Sequence, residues 1–188
     1  MTASRNPARS RLTAAIAISS LMVSGCALRR VDSYLARGAD LASYRTYAWG
    51  SAGQGATGDV RLDNNEMFQE RLQAAVETEL ALRGFEKTEA EPQLLVHYHA
   101  GVEQRIDLTA TEPWKSCPEC KPFIYDAGTL VIDLVDRRTS ELLWRGWSNA
   151  NIDHLVDNQQ WLEQHIDETV AKIFERLPAR LVAAAARR

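Results

Sequence analysis

The chain has 188 residues, of which 45% are hydrophobic and 25% are charged, a composition typical of a folded domain with a sizeable core. Its formal net charge is −3 with the histidines neutral. This acidic balance argues against nucleic acid as a partner, which would need a basic face, and against electrostatic adhesion to an anionic lipid surface.

The N-terminal segment has the features of a bacterial lipoprotein signal in their usual order. A basic n-region contains three arginines, Arg5, Arg9 and Arg11. Residues 12–23 form an uncharged apolar h-region that is too short to span a bilayer as a helix. The stretch LMVSGC then places two small residues before Cys26, the pattern at which such precursors are acylated and cleaved. We predict a signal peptide over residues 1–25 and lipidation of Cys26, with an ordinary secretory signal or a short membrane anchor as alternatives.

The predicted location is the cell envelope, with the domain facing the periplasm. Ala27 after Cys26 favours sorting to the outer membrane, by analogy with enterobacterial lipoproteins. Several acyl chains anchor a protein stably, since each buried methylene contributes about 0.8 kcal/mol. Cleavage would also change the formal charge from −3 to −6 by removing three arginines.

The first half of the mature chain is predicted to contain one strand and one helix. Residues 26–40 are assigned to a lipidated tether, and residues 41–49 (LASYRTYAW) to a strand that is rich in aromatic and β-branched residues. Apolar residues at helical spacing predict a helix over residues 63–83. Asp63 is the expected N-cap and Gly84 the expected stop.

The second half is predicted to contain three strands and a second helix. The strands are assigned to residues 93–102, 129–136 and 141–150. A polar turn makes the last two strands a hairpin, whereas the Pro-rich residues 103–126 are predicted to be irregular. An amphipathic helix follows over residues 159–177, and residues 179–188 form an Ala/Arg tail.

The element order is therefore β-α-β-β-β-α. We predict an α+β domain over residues 41–178, with a mainly antiparallel sheet of about four strands and two helices packed on one face. If the strands of the single β-α-β unit lie parallel, its crossover should be right-handed.

Three phrases of the sequence match a family pattern: YRTYAW at 44–49, GTLVID at 128–133 and LWRG at 143–146. Over residues 26–178 the chain resembles the bacterial envelope lipoproteins that are grouped as domain of unknown function 4136. The resemblance implies an α+β periplasmic domain without an established activity, and it supplies no catalytic residue.

Two cysteines, Cys117 and Cys120, remain as a pair once Cys26 is lipidated. In an oxidising periplasm we predict a disulfide that pins its loop. The motif CPEC could instead form a thiol-redox site, which would need a helix N-terminus to lower the thiol pKa.

His97 and His99 are two residues apart on a predicted strand and should therefore face the same side. With Cys117 and Cys120 they could complete a zinc site, although the spacing is not that of a zinc finger. The alternative is that both histidines pack or face solvent, and we expect no metal and no cofactor.

Carboxylates and aromatic residues supply the remaining candidates. Asp133 and Asp136 are three residues apart on a strand and should face opposite sides, so a paired acid–base site is disfavoured. Asp136 fits better as the first residue of the hairpin turn. The aromatic residues of the two strands could form a binding surface or pack in the core, and packing is favoured for most of them: Tyr44, Tyr47, Trp49, Trp144 and Trp147.

The functional prediction is a non-enzymatic outer-membrane lipoprotein whose domain acts by binding. Its partners would be the membrane, through Cys26, and an envelope protein, a lipid-carrier route or the cell wall. The alternative is a periplasmic thiol-redox or zinc-binding protein that uses Cys117 and Cys120.

Overall fold

The computed structural model describes residues 30–50, 57–63, 65–107, 123–153, 155 and 157–178. In this part of the chain the strands are β1 (Arg30–Leu35), β2 (Thr46–Trp49), β3 (Glu86–Lys87), β4 (Leu94–Asp107), β5 (Phe123–Asp136) and β6 (Leu142–Asn151). The α-helices are α1 (Val60–Asp63), α2 (Glu66–Leu82) and α3 (Gln159–Phe174).

The strands form one mixed sheet in the order β1-β6-β5-β4-β2-β3. Strand β5 pairs antiparallel with β4 and β6, and β6 pairs antiparallel with β1. Strand β2 is parallel to both β3 and β4. The predicted α+β class is confirmed. The prediction of a mainly antiparallel sheet of about four strands with two helices understates the fold, because the described part has six strands in a mixed sheet and three α-helices.

Strand β1 lies within residues 26–40, which were predicted to be a tether. It pairs with β6 along its whole length. Strand β1 is an exposed edge strand, and its sequence, RVDSYL, mixes charged and apolar residues. Such a mixture has no clear two-residue period, so the sequence pattern did not indicate a strand. The folded domain therefore begins before the predicted boundary at residue 41.

Of the segment 41–49, which was predicted to be a strand, only the second half is one. Leu41–Ser43 form a 3₁₀ turn, because the Asp40 side chain accepts a hydrogen bond from the Ala42 N–H at 3.0 Å. Such a cap competes with extended structure. Strand β2 then begins at Thr46.

The segment predicted to be irregular, residues 103–126, begins and ends with paired strand. The β4–β5 ladder continues without interruption from Leu94–Asp136 to Asp107–Phe123. We call residues 103–107 and 123–126 the arm. Its Ile106 and Ile124 are opposite each other and 54% and 56% exposed, so the arm lacks the alternation that identifies a half-buried strand.

The limits of α2 follow from its caps. Asn65, not the predicted Asp63, is the N-cap, and its side chain accepts a hydrogen bond from the Phe68 N–H at 3.0 Å. Gly84 ends the helix as predicted, with a φ of +75° that favours glycine. The N–H of Phe85 then donates to the carbonyl of Leu80 at 3.0 Å, closing a Schellman motif.

Helices α2 and α3 contact each other and pack on the sheet through a continuous apolar core. Their buried residues are Phe68, Leu72, Val76 and Leu80 in α2, and Leu162, Ile166, Val170, Ile173 and Phe174 in α3. Each fully buried aliphatic or aromatic side chain contributes about 1.5–3 kcal/mol, so this layer dominates stability. Within the described residues, no helix is long and apolar enough to cross a membrane.

Candidate functional site

The three cysteines lie outside the described residues. The lipidation of Cys26 and the pairing of Cys117 with Cys120 therefore remain predictions, as does the alternative zinc site. Among the residues that the structure describes, no group of three or more His, Cys, Asp or Glu side chains could hold a metal ion.

His97 and His99 lie on one face of β4, as the two-residue period predicts, and this face points away from the helices. The imidazole of His97 packs directly on Gly50, where even a Cβ atom would collide with the ring. Its Nδ1 is buried and has no hydrogen-bond partner among the described residues. Burial lowers the pKa of His97, an effect that the nearby Asp133 carboxylate opposes.

Asp133 of β5 is opposite His97 of the neighbouring strand β4 and opposite Arg145 of the other neighbouring strand, β6. The carboxylate is only 4% exposed, and Nε and Nη2 of Arg145 each donate to one of its oxygens at 2.6 Å. This bidentate pair satisfies the charge of Asp133 and explains how a carboxylate is buried on a sheet face.

Asp136 is held separately, at the hairpin turn where it was predicted. It accepts hydrogen bonds from the Tyr44 hydroxyl at 2.6 Å and from the N–H groups of Arg138 and Thr139 at 2.7 and 2.8 Å. The Tyr44 hydrogen bond is the main reason that the pKa of Asp136 is lowered, and it raises the pKa of Tyr44 to about 12. Asp133 and Asp136 therefore have different partners and form no acid–base pair.

The aromatic side chains of the two strands serve mainly in packing, as predicted. Tyr47 and Trp144 are buried, and the Trp144 ring packs against Phe174 of α3. Trp49 donates its indole N–H to Glu77 of α2 at 2.8 Å.

An apolar cavity of about 90 Å³ lies between the sheet and helices α2 and α3. The sheet side of the cavity has four small residues, Ala100, Gly128, Ser148 and Ala150, beside the larger Val102 and Leu130. The helix side has larger apolar residues: Phe68, Leu72, Leu162 and Ile166. Elsewhere on the same strands, large side chains such as Ile132 and Trp144 fill the equivalent space. The cavity thus exists because small residues on neighbouring strands face the same helices.

One buried polar side chain of this cavity has no hydrogen-bond partner among the described residues. Ser148 is 2% exposed, and its Oγ makes no hydrogen bond to any described residue. Thr129, which also lines the cavity, already donates its hydroxyl to Asn149 at 2.7 Å. A buried hydroxyl normally has a hydrogen-bond partner, so Ser148 is a candidate to bind an oxygen atom of a ligand.

A charged group that we call the Arg61 cluster lies beside the cavity. Arg61 contacts three carboxylates: Asp59 at 2.6 Å, Asp157 at 2.7 Å and Asp126 at 3.4 Å. These hydrogen bonds lower the pKa of Asp59 and raise that of Arg61. The cluster links α1, β5 and the β6–α3 connection, and each of these segments also contributes residues to the cavity: Leu62, Gly128 and Leu155.

Sequence reasoning missed both the cavity and Ser148. No residue type marks a space that side chains leave empty, and Ala100, Gly128 and Ala150 are unremarkable singly. Only the pairing of the strands brings these residues together, and Gly128 lies just outside the strand predicted over residues 129–136.

The family model for the Domain of unknown function (DUF4136) matches residues 31–179. The chain belongs to the DUF4136 family. This confirms the resemblance to the family drawn from the sequence, and the match includes all of β1 except Arg30. A comparison with curated protein sequences finds no significant match.

Two of the solved structures described below, with TM-scores above 0.5, share the fold of this DUF4136 domain at low sequence identity. A DUF4136 family protein from Bacteroides thetaiotaomicron has a TM-score of 0.54 and 12% identity, over 81% of this chain and 97% of that one. A PDZ domain protein from Parabacteroides distasonis has a TM-score of 0.52 and 14% identity, over 80% of this chain but only 36% of that one. A PelC dodecamer from Paraburkholderia phytofirmans has a TM-score of 0.47 and 10% identity, over 81% and 100%.

Proposed function

We propose that this protein is an outer-membrane lipoprotein, anchored at Cys26, whose DUF4136 domain binds an apolar ligand in its cavity and catalyses no reaction. The observation that carries the binding function is the apolar cavity with its unpartnered Ser148 hydroxyl. Concave apolar sites with few polar groups are the usual form of ligand sites.

The place where the chain enters the sheet supports the predicted anchor. Arg30, four residues after Cys26, is opposite Asn149, which is opposite Thr129 in the next strand. Thr129 lines the cavity, so the chain enters the sheet at its cavity end. Four extended residues span at most about 14 Å, and a lipid on Cys26 would therefore hold this end near the membrane.

The non-enzymatic part of the proposal rests on how the buried charges are used. Asp133 is neutralised by Arg145, and Asp136 is occupied by Tyr44 and the hairpin turn. Both carboxylates therefore have structural roles that account for their burial.

The anchor is tested by mass spectrometry of the mature protein and by cell fractionation. We expect an acylated N-terminal cysteine at position 26 and recovery with outer membranes. A matched form, in which a cleavable secretory signal replaces residues 1–26, should be recovered in the soluble periplasmic fraction. An unacylated Cys26, or a replaced form that stays with membranes, would contradict the anchor.

The cavity is tested with benzene, which occupies dry apolar cavities. The protein used is residues 27–188, which contain the complete described domain. We expect benzene to raise the Tm of this protein and of its Ala81→Leu control, which adds the same atoms on an exposed position of α2. Ala150→Leu should abolish the shift because it fills the cavity. An equal shift in Ala150→Leu would show that benzene binds elsewhere.

A further inference from the structure

We propose that the ligand is a neutral, slender aliphatic molecule with one hydrogen-bonding oxygen, such as a medium-chain alcohol, whose oxygen meets Ser148. This inference rests on the proposed function and names the chemical class of the ligand. Three features of the cavity carry it: its shape, the buried hydroxyl of Ser148, which has no partner among the described residues, and the charge beside it.

The shape of the cavity favours an unbranched chain. Its volume is about 90 Å³ and it is partly open to solvent, so a short chain can enter it end-on. The small residues Ala100, Gly128 and Ala150 contribute to one wall along the strands, beside Val102 and Leu130, and large helix residues form the other wall. The space between a sheet and two helices is a slot, which suits a few methylene groups better than a fused ring.

The buried hydroxyl of Ser148 favours a ligand that carries a hydrogen-bonding oxygen. It is 2% exposed and makes no hydrogen bond within the described part of the chain. A single water is a poor substitute, because a buried water needs several polar partners and the surrounding residues are mostly apolar. An alcohol or a neutral carbonyl would satisfy Ser148 while its chain fills the apolar space.

The acidic groups beside the cavity favour a neutral ligand over an anion. The Arg61 cluster has one cation and three carboxylates. A fourth carboxylate lies next to it, because the side chain of Asp153 accepts a hydrogen bond from the N–H of Asp126 at 2.5 Å. A fatty carboxylate would be repelled by this excess negative charge. An alkylammonium would be attracted to the cluster but would lose its hydration on entering the apolar cavity, which is costly.

The proposal is tested by calorimetric titration of residues 27–188 with three six-carbon probes: 1-hexanol, hexanoate and hexylamine. We expect 1-hexanol to bind more tightly than both charged probes at neutral pH. Ser148→Ala should weaken 1-hexanol binding about three- to tenfold, the usual value of one hydrogen bond. Ser148→Cys, which keeps a weaker hydrogen-bonding group, should bind with intermediate affinity.

The control is Ser43→Ala, which removes an exposed hydroxyl and should bind 1-hexanol like the wild type. If Ser148→Ala binds 1-hexanol unchanged, or hexanoate binds more tightly than 1-hexanol, the ligand class is wrong. The proposed function survives that result provided that Ala150→Leu still abolishes binding. If neither benzene nor any six-carbon probe binds the wild type, the cavity is not a ligand site and both proposals fail.

Discussion

Asp136 connects two distant parts of the chain through one carboxylate. It accepts the Tyr44 hydroxyl on one side and two N–H groups of the hairpin turn on the other. Because hydrogen bonds to a charged acceptor are worth about 1.5–3 kcal/mol, we expect Asp136→Ala to lower the free energy of unfolding by about 2–3 kcal/mol. Tyr44→Phe, which removes one donor and keeps the ring, should cost about 1 kcal/mol.

Urea denaturation of both single variants and of the double variant measures these values. The double variant should be less destabilised than the sum of the two single effects, because both remove the same hydrogen bond. Strict additivity would show that Tyr44 and Asp136 do not interact in solution.

The burial of His97 gives stability a pH dependence of known sign. Burial lowers its pKa in the folded protein, whereas the unfolded chain keeps a value of about 6.5. As the pH falls through about 6.5, the unfolded state therefore takes up a proton that the folded state does not, and stability decreases until the folded pKa is reached. Above about pH 6.5 this contribution is fully present.

We expect His97→Gln to remove this component of the pH dependence. The urea midpoint of the wild type should drop between about pH 7.5 and about pH 5.5, and that of the variant should drop less. The same drop in both proteins would mean that another group is responsible.

At the residue scale, predictions from the sequence succeeded where local geometry determines the result. The two-residue period of a strand placed His97 and His99 on one face, and a polar position before a turn identified Asp136. The Asp133–Arg145 pair and the isolated Ser148 hydroxyl were missed, because both depend on which strands become neighbours.

Gly146 of strand β6 packs against helix α3 through Ile173. A Cβ atom there would lie 2.4 Å from the Trp144 ring and 2.5 Å from the Ile173 side chain, and both residues are fully buried. The glycine of the WRG motif is therefore required by packing between two elements. We expect Gly146→Ala to destabilise the protein by about 2–3 kcal/mol, the upper part of the range for overpacking.

The control is Gly101→Ala, on β4, where the added Cβ would meet only a backbone oxygen at 3.9 Å. Thermal unfolding of both variants is the measurement. A Gly146→Ala protein that is as stable as Gly101→Ala would show that α3 shifts away at little cost.

At the element scale, buried and strongly patterned segments were predicted and exposed ones were not. Helices α2 and α3 and the β5–β6 hairpin have apolar faces that the core explains. Strands β1 and β3 and the arm are held by hydrogen bonds to neighbouring strands, with few buried side chains of their own. Backbone pairing of this kind is independent of side-chain pattern, so it leaves no periodicity in the sequence.

For the molecule as a whole, the end of the sheet that the predicted lipid anchor would hold near a membrane also contains the cavity. Three chain segments that are far apart in sequence meet beside it, and the Arg61 cluster joins them. Because Arg61 is 40% exposed, its ion pairs should contribute less than about 1 kcal/mol to global stability. Their effect should instead be local, on the segments that they connect.

We therefore expect Arg61→Gln to leave the Tm nearly unchanged while increasing hydrogen–deuterium exchange in residues 57–63 and around Leu155. Benzene and 1-hexanol should also dissociate faster from this variant, because loosening these segments weakens the walls that hold a ligand in the cavity. Arg71→Gln is the matched control, since Arg71 is 42% exposed and its ion pair with Asp167 joins α2 to α3 outside the cavity lining. If both variants change exchange and dissociation equally, the Arg61 cluster does not control access to the cavity.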